Sequence, residues 1–232
     1  MQTTIQKPKT TTTQTKTKNQ SRTEKNLQQI GRKVGSLKAN KAIKKQEYKQ
    51  ILDYMENDKD TRLTTLNKYR KIFTFLFYTG CRINEVLKLK TEDINSILDY
   101  GKARIITSKT ARYAGQEFRV VHFSPLAISE IRKEFNDILK HPNAYCIRAC
   151  NNKDKEMNKI GLTNQLNRYL EKIFGNKDFT THSFRRGLIR EMIIDNNVNG
   201  KIVQKFIGHK NLSTTNEYLK VTDEDIQNSL IR

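Results

Sequence analysis

Apolar residues recur every three or four positions through most of this chain, and the recurrence keeps stopping at glycine. Leu66, Tyr69, Ile72, Phe73, Leu76 and Phe77 form one such stripe, which ends at Thr79-Gly80. Leu162, Leu166, Tyr169, Leu170, Ile173 and Phe174 form another, closed by Gly175, and Ile202, Val203, Phe206 and Ile207 a third, closed by Gly208. A period near 3.6 with a glycine just past the last apolar position predicts helices ended by left-handed caps. A further helix is expected around Ile43, Ile51, Leu52 and Met55, and a short one restarts at Cys81 or Arg82 with Ile83, Val86 and Leu87 as its buried face. Thr180 or Thr181 can cap a helix carrying Phe184, Leu188, Met192 and Ile193 inward, and Ser213 can cap a short helix bearing Tyr218. Thr222-Asp223-Glu224-Asp225 begins a last helix with Ile226 and Leu230 on its apolar side.

The period changes only between Asp93 and Phe123. Ile94–Leu98, Lys102–Thr107 and Glu117–Phe123 are rich in β-branched or aromatic residues and predict a small antiparallel meander. Ser124-Pro125 then opens a helix with Ile128, Ile131, Phe135, Ile138 and Leu139 on one face, and the polar stretch from His141 to Asn158 reads as a surface loop. The expected fold class is therefore mainly α with a small antiparallel β-sheet (α+β).

Charge separates the chain into two parts. The formal net charge is +20, from 44 Lys and Arg against 24 Asp and Glu. The first 45 residues hold twelve of the cations, opposed by Glu24 alone. The Thr/Gln/Lys run from Thr3 to Gln20 contains only Ile5 as an aliphatic side chain, too little to support a core. Residues 1–41 are expected to form a basic, largely disordered arm, with one marginal helix over Leu27, Ile30, Val34 and Leu37, either tracking phosphates or acting as a solubilising tail. Residues 42–232 form the globular domain. Such an excess of positive charge attracts polyanions, nucleic acid first among them and anionic membrane surfaces second, and no apolar run approaches the length of a membrane span.

Three cysteines, Cys81, Cys146 and Cys150, and a start without an apolar signal core predict a reducing, intracellular setting. His141, Cys146 and Cys150 match no familiar zinc spacing, so no metal is expected.

Four stretches hold polar residues that a purely structural chain would not need. Arg82 and Glu85 are neighbours on a helix three residues apart; Lys109 lies at the tip of the predicted hairpin; His182 and Arg185 share one face near a helix N-terminus; and His209 precedes Tyr218 by nine residues across a glycine turn. Each alone has an ordinary reading as a surface salt bridge, a solvated lysine or exposed polar residues. Together they are what phosphoryl transfer to a tyrosine would use: guanidinium groups to bind phosphate oxygens in pairs, a lysine to protonate a departing alkoxide, and a phenol to form a covalent phosphodiester.

These residues resemble the tyrosine recombinases, also called the phage integrase family. Thr79-Gly80-Cys81-Arg82-Ile83-Asn84-Glu85-Val86-Leu87-Lys88-Leu89 is similar to the family's first arginine box, and Lys109 in Ser108-Lys109-Thr110 to its hairpin lysine. His182-Ser183-Phe184-Arg185 is similar to its His-x-x-Arg box, and Gly208-His209 with Thr214-Thr215 and Tyr218 to its closing box. The resemblance runs from about Ala42 to the end. It implies that Tyr218 attacks a scissile phosphate of double-stranded DNA to give a 3′-phosphotyrosyl link and a free 5′-hydroxyl. Arg82, Arg185 and His209 would hold non-bridging oxygens, Lys109 would act as general acid, His182 would assist proton transfer or phosphate positioning, and Glu85 would support Arg82. It implies neither metal nor nucleotide cofactor, and assembly of a homo-oligomer, a tetramer, on paired DNA sites.

Two departures stand out. Arg186-Gly187 occupies positions where many family members have a histidine and a small residue. Only about 40 polar residues precede the matching region, where the family usually has a helical core-binding domain, so the DNA clamp is expected to be incomplete or supplied by the arm or by another protein. Site-specific recombination for a mobile element is the function this implies; DNA relaxation of the type IB topoisomerase kind and a non-catalytic DNA-binding accessory role stay open beside it.

Overall fold

The computed structural model describes residues 41–106, 118–149, 152–209 and 211–216. All of the expected basic arm but Lys41, and the expected last helix, together with Lys109 and Tyr218, lie outside them.

The chain is mostly helical. Helices α1 (Lys45–Asn57) and α2 (Leu63–Thr79) are followed by the five-residue α3 (Ile83–Leu87) and by α4 (Thr91–Tyr100). Strands β1 (Lys102–Ile106) and β2 (Phe118–His122) pair antiparallel, with Ala103 opposite Val121 and Ile105 opposite Arg119. After α5 (Pro125–Phe135) come the short β3 (Arg148–Ala149) and β4 (Asn152–Glu156), then α6 (Lys159–Phe174) and α7 (Thr181–Arg190). A single π turn, Glu191–Asp195, continues α7, and α8 (Gly200–Ile207) and α9 (Leu212–Asn216) complete the described chain.

Helix α2 lies at the centre. Ile72, Phe73, Phe75 and Leu76 are all fully buried, and even Lys71 and Thr74 are enclosed, so the predicted stripe is in fact covered on nearly every side. Lys71 is tolerated because its ammonium reaches Asp137 at 2.6 Å, and Thr74 because its hydroxyl bonds that of Tyr48 at 2.8 Å. Phe73 stacks on Phe184 of α7 at 5.3 Å between ring centres, and Phe75 meets Phe135 of α5 edge-on. A smaller apolar cluster of Ile189, Val203 and Ile207 seats α8 against α7.

Three local expectations change. Ile94–Leu98 is helical, not a strand: Ile94 and Ile97 are both buried on one helix face, a strand would have grouped Ile94 with Ser96, and the Asp93 carboxylate accepts the Lys90 N–H at 2.9 Å to start α4. The stretch from His141 to Asn158 is not only loop. It contains the β3–β4 hairpin, and Thr91 and Cys146 bond Ala144 and Leu89 through their backbones, tying its start to the end of α3. Helix α9 begins at Leu212, so Ser213 sits inside its first turn and does not cap it.

Gly187, the small residue of the Arg186-Gly187 pair, sits where no side chain can be placed. A Cβ there would lie 1.8 Å from the Ile43 carbonyl oxygen, because the strand-like segment ahead of α1 runs against α7 and donates the Ile43 N–H to the Ser183 carbonyl at 3.0 Å. Only glycine fits. Among the described residues no helix is long and apolar enough to cross a membrane.

Candidate functional site

Arg82 starts α3 with an extended backbone, and Glu85, one turn on, reaches back to accept its N–H at 3.1 Å. The same carboxylate accepts from the Arg82 guanidinium at 3.0 Å. Gly80 makes this geometry available: at φ +57° it ends α2 in a left-handed cap, and the chain reverses into α3 within two residues. Glu85 is 1 % exposed, an expensive place for a carboxylate unless cations surround it. Burial alone would raise its pKa, but the charge of Arg119, the Arg82 N–H and the charges of Arg82 and Arg185 more than offset burial and hold it below the usual carboxylate range.

Arg185 is equally buried. It projects from α7, whose first turn is fixed by Thr180 and Ser183 bonding each other's ends and by the Asn167 side chain accepting from Thr181. Its Nη1 donates to the Gly80 carbonyl at 2.7 Å and its Nη2 to the Ile207 carbonyl at 2.8 Å, so one guanidinium ties the end of α2 to the end of α8. Its Nε donates to His209 Nε2 at 3.3 Å. Since a guanidinium can only donate, that ring nitrogen is the acceptor, and the proton of a neutral His209 resides on Nδ1, which bonds Thr215 Oγ1 at 2.9 Å. Gln204 holds the turn itself, its carbonyl accepting the His209 N–H at 3.0 Å and its amide donating to the His209 carbonyl at 3.1 Å.

His182 lies one turn before Arg185 on the exposed side of α7. Partial enclosure of its ring comes first, and then the charges of Arg185, Arg82, Arg186 and Lys159, in lowering its pKa below the usual histidine value. At neutral pH it is an uncharged imidazole among cations, able to take up a proton or to bond an oxygen.

The structure thus gathers Arg82, Glu85, Arg185, His182 and His209, which come from α3, α7 and the turn after α8. Lys109 and Tyr218 fall outside the described residues; Lys109 belongs to the connection between β1 and β2, and Tyr218 follows α9 by two residues. Arg82 is the more open of the two arginines, with about a fifth of its side chain exposed. Among the described residues no group of three or more His, Cys, Asp and Glu side chains comes together as metal ligands would.

Two participants were given no role from the sequence: Thr215, noted there only within the closing box, and Arg119. Thr215 is fully buried and settles which nitrogen of His209 carries the proton. Arg119 of β2 is 7 % exposed; its Nη2 lies 3.4 Å from Glu85 Oε2 and 3.0 Å from Cys81 Sγ, and its Nη1 donates to the Phe206 carbonyl. A signal for it was present: in a strand that alternates inward Val121 with outward Val120 and His122, an arginine falls on the apolar face.

Residues 41–225 match the family described as the phage integrase family. This chain belongs to that family. Similar curated proteins include a tyrosine recombinase XerC of Treponema denticola, 26 % identical over 170 residues that cover 68 % of this chain and 53 % of that one. A tyrosine recombinase XerA of Pyrococcus horikoshii is 27 % identical over 194 residues, covering 82 % and 60 %. The chain therefore spans about half to three fifths of the length of these relatives. In fold it is similar to a XerH site-specific recombinase solved bound to a palindromic difH substrate as a post-cleavage complex, with a TM-score of 0.62, 20 % identity and coverage of 83 % of this chain and 53 % of that one. The Tn1549 transposon integrase, solved in complex with transposon right end DNA, superposes with a TM-score of 0.55 at 16 % identity, covering 82 % and 64 %.

Proposed function

We propose that this phage integrase family chain is the catalytic domain of a site-specific DNA recombinase that cleaves and rejoins double-stranded DNA through a 3′-phosphotyrosyl intermediate. The observation that carries this reading is the knot of Arg82, Glu85, Arg185 and His209: two guanidinium groups and an imidazole anchored on backbone carbonyls and one buried carboxylate, beside an uncharged histidine. Such a set is built for a phosphate whose charge increases in the transition state.

In the proposed reaction Tyr218 Oη attacks the scissile phosphorus, the bond to the 5′ oxygen breaks, and Lys109 protonates that leaving oxygen. Arg82 presents the open guanidinium to the non-bridging oxygens. Arg185 and His209 join it when an oxygen replaces their mutual contact, which at 3.3 Å is the longest bond Arg185 makes of those described above. His209 Nε2 must then donate. Thr215 permits this without a net charge change, because a hydroxyl that accepts from Nδ1–H can rotate and donate to bare Nδ1, leaving the proton on Nε2. His182, neutral at working pH, takes the tyrosine proton or bonds the phosphate.

The substrate is a pair of DNA sites bound by a homo-oligomer, a tetramer. A two-fold symmetric site, such as the palindromic one named for the XerH complex, calls for symmetric protein copies. Integration or excision of a mobile element is the setting favoured by the likeness to a transposon integrase. The test is strand exchange between two copies of the repeats that flank the encoding element: recombinant junctions support it, and relaxation of supercoiled plasmid without junctions contradicts it.

A further inference from the structure

Buried arginines are costly, and Arg119 has no place in any motif the sequence displays. It shares the inward face of β2 with Val121, flanked by the outward Phe118 and Val120, where a leucine or methionine would fill the space at less cost. Its polar atoms end on separate elements. Nη2 reaches Glu85 of α3 and Cys81 ahead of it, and Nη1 reaches the carbonyl of Phe206, one residue short of the end of α8. Its Nε is buried and finds no partner among the described residues, so the side chain is aimed to serve its neighbours at the expense of its own bonding. The stem is part of the arrangement as well. Gly208, at φ +74°, lies so close that a Cβ there would stand 2.8 Å from Arg119 Cδ. The turn presenting His209 is moulded on this arginine.

We propose that Arg119 is a positioning residue, a buried three-way joint through which the β1–β2 hairpin sets both the Arg82–Glu85 pair and the turn that carries His209. The proposal deepens the phosphoryl-transfer reading above and rests on it. The hairpin thereby gains a second role, since the connection holding Lys109 springs from β1 and β2, and Arg119 in β2 locks that root to the residues that hold the phosphate. Lysine could not substitute, because a single ammonium cannot span Glu85 and the Phe206 carbonyl as a planar fork does.

The experiment compares Arg119→Met, Arg119→Lys and Glu85→Gln with wild type, using melting temperature, DNA affinity and the rate of covalent adduct formation on a nicked substrate at saturating DNA. At constant affinity, Arg119→Met is expected to slow adduct formation by about a hundredfold, as a misplacement of about an ångström does. Its rate should also fall off at higher pH on the acid side, because among the described groups Glu85 then keeps the Arg82 N–H and the charges of Arg82 and Arg185, beside the neutral Cys81 thiol, to hold it ionised. Arg119→Lys should stay slow while keeping the wild-type acid limb, and in the Glu85→Gln background Arg119→Met should cost less than it does in wild type, the remainder being the lost tie to the Phe206 carbonyl. A Lys variant with the wild-type rate, or fully additive costs in the double variant, overturns the proposal, and the first of these outcomes remains readable if Arg119→Met does not fold. A readout without chemistry separates the two ideas: carboxyl NMR should show Glu85 titrating higher in Arg119→Met. If Glu85 moves and wild type makes no adduct, the joint stands and the recombinase reading falls; if wild type makes adduct and Glu85 does not move, the joint falls.

Discussion

At the scale of single residues, the site depends on where backbone replaces side chain. Gly208 and Gly175 both end helices at positive φ, so alanine at either is expected to cost about 1 kcal/mol of conformational strain. Around Gly175 there is open space, whereas at Gly208 the new methyl meets Arg119. Gly208→Ala should therefore lose a further ~1–3 kcal/mol, or displace Arg119 and depress adduct formation, while Gly175→Ala leaves the rate unchanged; thermal melts and adduct rates on the pair check this. Thr215→Val tests the histidine. It removes the group that can serve either tautomer of His209, and is expected to slow cleavage about tenfold or more at unchanged DNA affinity, with the imidazole nitrogen signals of His209 losing their hydrogen-bonded Nδ1–H.

At the scale of elements, the turns that join helices carry many of the ties between them. Asp58, after α1, accepts from the Thr61 hydroxyl and the Tyr169 phenol of α6 at 2.7 and 2.9 Å, and from the backbone of Asp60 and Thr61. Desolvation pushes its pKa up, but these bonds prevail and bring it from 3.8 to about 2. A carboxylate so depressed contributes stability that is fully present above pH 3.8 and is lost as pH falls towards 2. Wild type should melt higher than Asp58→Asn at neutral pH, with the gap closing across that window; a gap independent of pH would contradict it. Most of the helices were legible in the sequence, because α2, α6 and α8 keep their apolar period and stop at Gly80, Gly175 and Gly208. Helix α4 was not, since Ile94, Ile97 and Leu98 are β-branched or apolar enough to suit either state, and only the Asp93 cap and the packing against its neighbours decide for helix. The β3–β4 hairpin is polar and leaves no periodic trace.

At the scale of the molecule, the sequence marked candidate residues and hid how they are held. Arg82, Glu85, His182, Arg185 and His209 announce themselves as polar positions in ordered motifs, but Arg119 and the carbonyls of Gly80, Phe206 and Ile207 become partners only when α2, α8 and β2 converge. Charge is distributed on the same scale, and the proposed arm of residues 1–41 is expected to bind additional phosphates. Removing it should weaken DNA binding and flatten the slope of log affinity against log salt by roughly 0.9 for each phosphate no longer neutralised, and an unchanged slope would reduce it to a solubilising tail. The most direct test of the whole account is covalent trapping. A nicked duplex carrying a candidate crossover site from the DNA beside the gene, incubated with the full chain, should yield a protein–DNA adduct that survives denaturation, maps by peptide sequencing to Tyr218, and disappears in Tyr218→Phe while DNA binding persists. No adduct above background with wild type on that site, or an adduct that persists in Tyr218→Phe, would contradict it.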